Sequence, residues 1–179
     1  MSERRRQVRH AGGDGFTLIE ILVAVAIIAV LIGLALPSFT TTLQVRRLNG
    51  ATRQVTSDLR YIQSQAITQG GLFRLHSGYD GAVNMPGQYR IEHSTGTGTT
   101  WSPDTPWINL SSSFSGVSIG SIKDNSGTSL NEIRFNSRGV IANSPVPSYP
   151  INVVVSGVVS GQATTKTIQV RQVGSVKVP

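Results

Sequence analysis

From Phe16 to Leu36 the chain reads FTLIEILVAVAIIAVLIGLAL, twenty-one residues with one charge, Glu20, and one hydroxyl, Thr17. A helix rises about 1.5 Å per residue, so a run of about 20 residues crosses a hydrocarbon core about 30 Å thick. The run is apolar on every face, whereas a helix lying on the core of a soluble domain keeps a polar side. A secretory signal peptide is the other candidate, but its apolar region is uncharged and about 7 to 15 residues long. Glu20 is out of place in such a peptide, and Gly33-Leu34-Ala35 is a poor small-x-small cleavage site. The run reads as a membrane-spanning helix.

Its direction is not fixed by charge. Arg4, Arg5, Arg6 and Arg9 precede the run and Arg46, Arg47 and Arg53 follow it, a near balance under the positive-inside rule. The whole chain of 179 residues has a formal charge of +7 and no cysteine. That charge suits an anionic partner or a membrane surface. The missing cysteine excludes a disulfide framework, a thiolate zinc site and a cysteine nucleophile.

A carboxylate inside an apolar helix costs about 2.5 to 3.5 kcal/mol on insertion scales and normally has a partner or a function. No Lys or Arg lies within the run to serve Glu20. Cleavage just before Phe16 would create an α-amino group, with an ordinary pKa of about 7.7 to 8.0, that could pair with Glu20 of the same or a neighbouring helix.

Gly15-Phe16-Thr17-Leu18-Ile19-Glu20, with a basic leader before it and a long apolar helix and Pro37 after it, resembles the start of a type IV prepilin or pseudopilin. The glycine, the aromatic first residue, the glutamate and the proline all fall at that family's spacing. Asp14 departs from the pattern, standing where many relatives have Lys or Arg. The resemblance implies cleavage between Gly15 and Phe16 by a prepilin peptidase at the cytoplasmic face, and N-methylation of Phe16. It ties Glu20 and Pro37 to assembly, Glu20 by pairing with another subunit's amino terminus. It also implies a single-pass inner-membrane protein with its C-terminal domain in the periplasm, which joins other pilin or pseudopilin subunits on an inner-membrane platform. Loss of the leader would remove four arginines, Glu3 and Asp14, taking the formal charge from +7 to +5.

Beyond Pro37, where a kink is expected, Leu48, Val55, Leu59, Ile62 and Ala66 recur at helical spacing until Gly70-Gly71. Phe16 to Gln69 is 54 residues, a helix of about 81 Å. Arg46, Arg53 and Arg60 are seven apart and share one face. They read as a solvated face opposite the apolar stripe, or as contacts for lipid headgroups, a neighbouring subunit or nucleic-acid phosphates.

From Gly70 onward the pattern is β: Leu72 to His76, Gln88 to Ser94, Trp107 to Leu110, Leu130 to Asn136, Tyr149 to Val155 and Thr165 to Val173, with a further strand around Val117 to Ile122. Ile133 and Phe135 alternate with Arg134, and Ile168 and Val170 with Gln169 and Arg171, which fits one antiparallel sheet with one buried face. Covering that face with the stripe of the helix gives an α+β domain. The expected organisation is a leader (1–15), a transmembrane and assembly helix (16–37), its amphipathic continuation (38–69) and a β-rich domain (70–179).

Ile62 to Gly70, Trp101 and Trp107, Phe135-Asn136-Ser137-Arg138-Gly139 and the closing Ile168-Gln169-Val170 with Gly174-Ser175-Val176 resemble the H-type pseudopilins of type II secretion and the FimT-like minor pilins. Members of the first group sit at or near the tip of a short periplasmic pseudopilus. Some of the second are associated with pilus assembly or DNA uptake. After Glu132 no acidic residue follows, while Arg134, Arg138, Lys166, Arg171 and Lys177 do; Lys166, Arg171 and Lys177 are candidate contacts for DNA or a protein partner. Phe135 and Tyr149 are the aromatics available there to stack on bases. The tail Val170 to Pro179 lacks the arginine pair of DNA-binding relatives, and scattered solubility charges explain these residues as well.

An enzyme is not indicated. His10 would leave with the leader, and His76 and His93, read as surface or sheet-edge residues, have no HExxH, paired-carboxylate or triad context. Asp124-Asn125-Ser126-Gly127 has turn chemistry but lacks the remaining ligands of a calcium loop. Neither a metal nor a cofactor is implied.

Overall fold

The computed structural model describes residues 15–79 and 84–179. The basic leader with Glu3, Arg4, Arg5, Arg6, Arg9, His10 and Asp14 lies outside the described residues. The chain divides into two compact units, one ending at Phe39 and the other running from Thr40 to Pro179.

In the first unit, helix α1 (Leu18–Gln69) begins two residues later than the apolar run. Thr17 is the reason. Its Oγ1 accepts the Glu20 N–H at 3.3 Å, capping one of the helix's free donors, and its carbonyl accepts the Ile21 N–H at 3.3 Å as the first intrahelical bond. Every residue from Gly15 to Leu34 is exposed.

The second unit holds the core. On α1 the stripe Leu48, Val55, Leu59, Ile62 and Ala66 is buried as its spacing predicts, joined by Ala51. Thr52 and Thr56 are buried between them, each donating its hydroxyl to the carbonyl four residues back, at 2.7 and 2.8 Å. The helix stops where Gly70 takes φ +70° and donates its N–H to the Ala66 carbonyl, a left-handed ending that glycine adopts freely.

The strands form two antiparallel sheets where the alternation suggested one. The first has the order β3 (Ser102–Pro103), β2 (Asn84–Ser94), β1 (Leu72–Tyr79), β7 (Glu132–Phe135), with β4 (Ile108–Asn109) also on β2. The second has the order β10 (Val176–Lys177), β9 (Gln162–Val170), β8 (Ile151–Val159), β5 (Val117–Lys123), β6 (Ser129–Leu130). Both contribute buried residues to the core on α1, Leu75, Ile91 and Ile133 from the first and Ile119, Val153 and Ile168 from the second.

Four expected strands change. Leu130 to Asn136 splits at Asn131, so that β6 and β7 fall in different sheets; the Asn131 carbonyl accepts the Ser77 N–H at 2.8 Å at the crossing. Trp107 to Leu110 shortens to β4, because the Asn109 side chain accepts the Ser111 N–H and caps a helical turn, α2 (Leu110–Ser113). Tyr149 to Val155 shifts to Ile151–Val159 and Thr165 to Val173 to Gln162–Val170, joined by a tight hairpin at Ser160-Gly161. That tip is held to α1: Ser160 N–H donates to Gln44 Oε1 at 2.8 Å, and its hydroxyl lies 2.9 Å from that of Thr41.

Candidate functional site

The residues tied to processing and assembly lie in the first unit. Gly15 and Phe16 precede α1, and the Phe16 ring is 78% exposed. Glu20 lies in the first helical turn and is exposed. A negative charge there complements the positive end of the helix dipole, worth about 0.3 to 1 kcal/mol. Pro37 falls within α1. Together these residues make an accessible peptide bond at Gly15–Phe16 and, one turn beyond it, a carboxylate among apolar side chains.

The basic candidates lie in the second unit and do not form one patch. Arg46, Arg53 and Arg60 are exposed along one face of α1, away from the buried stripe. On the second sheet Lys166 pairs with Val155, and Ile168 with Val153, so Lys166 shares the inward face and is half-buried at the strand's edge. Lys177 pairs with Gln169 and so belongs to the other face. Arg171 is exposed in the turn after β9, where its N–H donates to the Ser175 carbonyl at 3.0 Å. Of the expected stacking aromatics, Phe135 is fully buried and unavailable to a base; Tyr149 remains half-buried.

The densest chemistry on the molecule was not visible in the sequence. On the far side of the first sheet the register sets Glu92, Arg74 and Arg134 in one row across three strands and Arg90, His76 and Glu132 in the next. Glu92 takes ion pairs from Arg74 and Arg90, with His76 Nδ1 at 3.3 Å; Arg74 also reaches Glu132, which pairs with Arg134. Trp101 lies against two guanidinium groups, 4.0 Å from Arg74 and 5.1 Å from Arg134, and Trp107 stands 4.6 Å from Arg90 and 5.8 Å from the His76 ring. His76 is therefore buried on a central strand, not at a surface or sheet edge. His93 does lie near an edge, its Nδ1 2.6 Å from Asp104.

A recess of about 340 Å³ opens beside this cluster, lined among others by Arg74, His76, Glu132, Arg134, Asn143 and Pro145. Arg74 and Arg134 there are paired with Glu92 and Glu132. The cluster fastens the tryptophan-bearing segment 95–107 over the sheet.

Burial alone would raise the Glu92 pKa, but the His76 hydrogen bond and the Arg74 charge outweigh it and bring it from 4.5 to about 2. The Asp124 carboxylate is also lowered, chiefly by the Ser126 hydroxyl, with further hydrogen bonds from Ser148, Thr128 and Ser126 N–H groups. Both groups are ionised more readily folded than unfolded. Their stabilisation is complete above the ordinary carboxylate pKa and is lost as pH falls through the folded value. Asp58 acts with the opposite sign: burial raises its pKa, partly offset by the hydroxyl that Tyr89 donates at 2.5 Å. The Glu92 shift is the large one, so urea unfolding of residues 40–179 should show a steep loss of stability as pH falls from 4.5 toward 2. A stability that rises over that lower range would show that Asp58 dominates.

Residues 14–36 match the family model of the prokaryotic N-terminal methylation motif, and residues 51–174 match that of the type II transport protein GspH. The chain belongs to the GspH family. No curated protein sequence matches it significantly. Among solved structures, the minor pseudopilin EPSH of the Vibrio cholerae type II secretion system aligns with TM-score 0.51 at 12% identity, over 75% of this chain and 94% of that one. The type IV minor pilin FimU of Pseudomonas aeruginosa aligns in two crystal forms. One gives TM-score 0.49 at 15% identity, over 75% of this chain and 89% of that one; the other gives 0.47 at 14%, over 74% and 92%. At such identities the likeness to EPSH is one of fold, the type IV pilin-like fold. This GspH-family chain is a pilin-like subunit by family, with the methylation motif on an apolar helix long enough to cross a membrane. Membership implies processing by a prepilin peptidase and assembly with other pilin-like subunits.

Proposed function

We propose that the chain is a non-catalytic minor pseudopilin, cleaved between Gly15 and Phe16, methylated on Phe16 and assembled at or near the tip of a type II secretion pseudopilus. The observation that carries this reading is the GspH match over residues 51–174 joined to the methylation motif at 14–36. The exposed apolar surface from Gly15 to Leu34 supports it physically. Such a surface is stable in a bilayer before assembly and among other pilin helices afterwards, and in water it is not. The second unit, continuing from the outer end of the helix, faces the periplasm, where it meets secretion cargo or other minor subunits on the inner-membrane platform.

Deleting the gene in its own cell tests the choice of machine. Accumulation of normally secreted proteins in the periplasm is the expected result. Normal secretion with loss of pili or of DNA uptake would replace this reading by a FimT-like minor pilin.

The arginine face of α1 is the surface we assign to neighbouring subunits. Changing Arg46, Arg53 and Arg60 together to glutamine should leave the unfolding free energy of residues 40–179 within about 0.5 kcal/mol per site, since all three are exposed. Co-purification with other pseudopilins should fall. Undiminished co-purification would remove the arginines from the interface.

A further inference from the structure

Strand β9 is nine residues long, and β8 pairs with all of them, whereas β10 covers only Gln169 and Val170 on the other side. Among the described residues, the edge from Gln162 to Ile168 has no strand beside it. The hairpin fixes which backbone groups face outward. Val159 and Gln162 close a two-residue turn whose Ser160 and Gly161 have φ of 51° and 76°, both left-handed, as a type I′ turn requires. The pair that closes such a turn is hydrogen-bonded, and bonded and non-bonded pairs alternate from there. Ala163, Thr165 and Thr167 therefore fall at non-bonded positions against β8, with their N–H and C=O groups pointing away from it. Gln169 continues that series, and it is where β10 pairs through Lys177.

An open strand of this length without proline is a template for another chain. Lys166 stands in the middle of it, inward-facing and half-buried. An inward lysine on an edge opposes pairing with a second copy, because a two-fold arrangement about the strand centre brings two ammonium groups together. The same lysine favours a carboxylate. Arg171 and Lys177 add positive charge where β10 begins, and no acidic residue follows Glu132 in the sequence.

The geometry points to the outer edge of β9 as a docking site for an extended acidic segment of another protein. That segment adds as a strand to Ala163, Thr165 and Thr167 and sets a carboxylate against Lys166. The site does not depend on which machine the chain serves.

Amide hydrogen exchange of the full chain in detergent micelles tests this, with and without a capped peptide of alternating valine and glutamate at millimolar concentration. Exchange at Ala163, Thr165 and Thr167 should slow by at least about tenfold, and a valine–lysine peptide should have little effect. Thr165→Pro removes an outward N–H and no bond to β8, so it should abolish the effect while Ile168 and Val170 stay protected. Lys166→Glu, which leaves the backbone intact, should reverse the preference between the two peptides. Unchanged exchange at the three amides, or equal slowing by both peptides, would overturn the proposal. So would protection without peptide that vanishes on dilution, which would make the occupant a second copy.

Discussion

Glu20→Ala should enter the membrane and lose its leader as the native chain does, yet be incorporated into filaments at least about a hundredfold less. Entry should become easier, because alanine removes an insertion cost of about 2.5 to 3.5 kcal/mol. Incorporation suffers for a separate reason. Cleavage turns the Phe16 nitrogen into an amine, and inside a packed bundle of apolar helices that amine needs an anion. Breaking a buried pair by removing one partner costs about 3 to 5 kcal/mol, against about 1.4 kcal/mol for each tenfold in association. Thr17 already caps the first turn, with its Oγ1 3.3 Å from the Glu20 nitrogen, so the helix itself should survive the change. Filament counts and membrane fractionation separate the two steps. Normal incorporation of Glu20→Ala would show that register is set elsewhere.

Glu92→Gln should destabilise residues 40–179 by about 3 kcal/mol, a large part of the roughly 5 to 15 kcal/mol that holds a domain together. The carboxylate is fully buried and answers both Arg74 and Arg90. Glutamine has nearly the same shape but leaves Arg90 without its charge partner and Arg74 with Glu132 alone. The pKa of about 2 in place of 4.5 implies a cost of the same order at about 1.4 kcal/mol per pKa unit. Every buried apolar residue among those described lies between Leu48 and Val170, so this domain has its whole core without the membrane segment and can be unfolded in urea by itself. The gap between native and variant should close as pH approaches 2. A loss below about 1 kcal/mol at pH 7 would mean that the tryptophan-covered cluster adds little to stability.

The helix was legible because its signals are local. The apolar run, the stripe at helical spacing and the Gly70-Gly71 stop each need only neighbours in sequence. The second sheet was not legible, because what divides Leu130 to Asn136 is pairing across the fold: Ser129 and Leu130 take Lys123 and Ile122 as partners, while Glu132 to Phe135 takes β1. The hairpin was within reach, since Ser160-Gly161 is a turn dipeptide flanked by valine and by strand-forming residues. The buried charge cluster was hidden by the rule that serves elsewhere. Arg74, Arg90, Glu92 and Arg134 alternate with apolar residues and so read as a solvated face. Trp101 and Trp107, more than a dozen residues from any of these arginines except Arg90, cover that face instead. Lys166 and Lys177 look equivalent along the chain, and register alone puts them on opposite faces.

Mass spectrometry of the chain purified from its own cells, with and without an active prepilin peptidase, tests the assignment most directly. The expected mature protein begins at Phe16, carries one methyl group on its α-nitrogen, lacks residues 1–15, and keeps its leader when the peptidase is inactive. An intact leader in cells with active peptidase, or a new terminus beyond the apolar run near Ala35, would contradict a pilin-like subunit held by this helix.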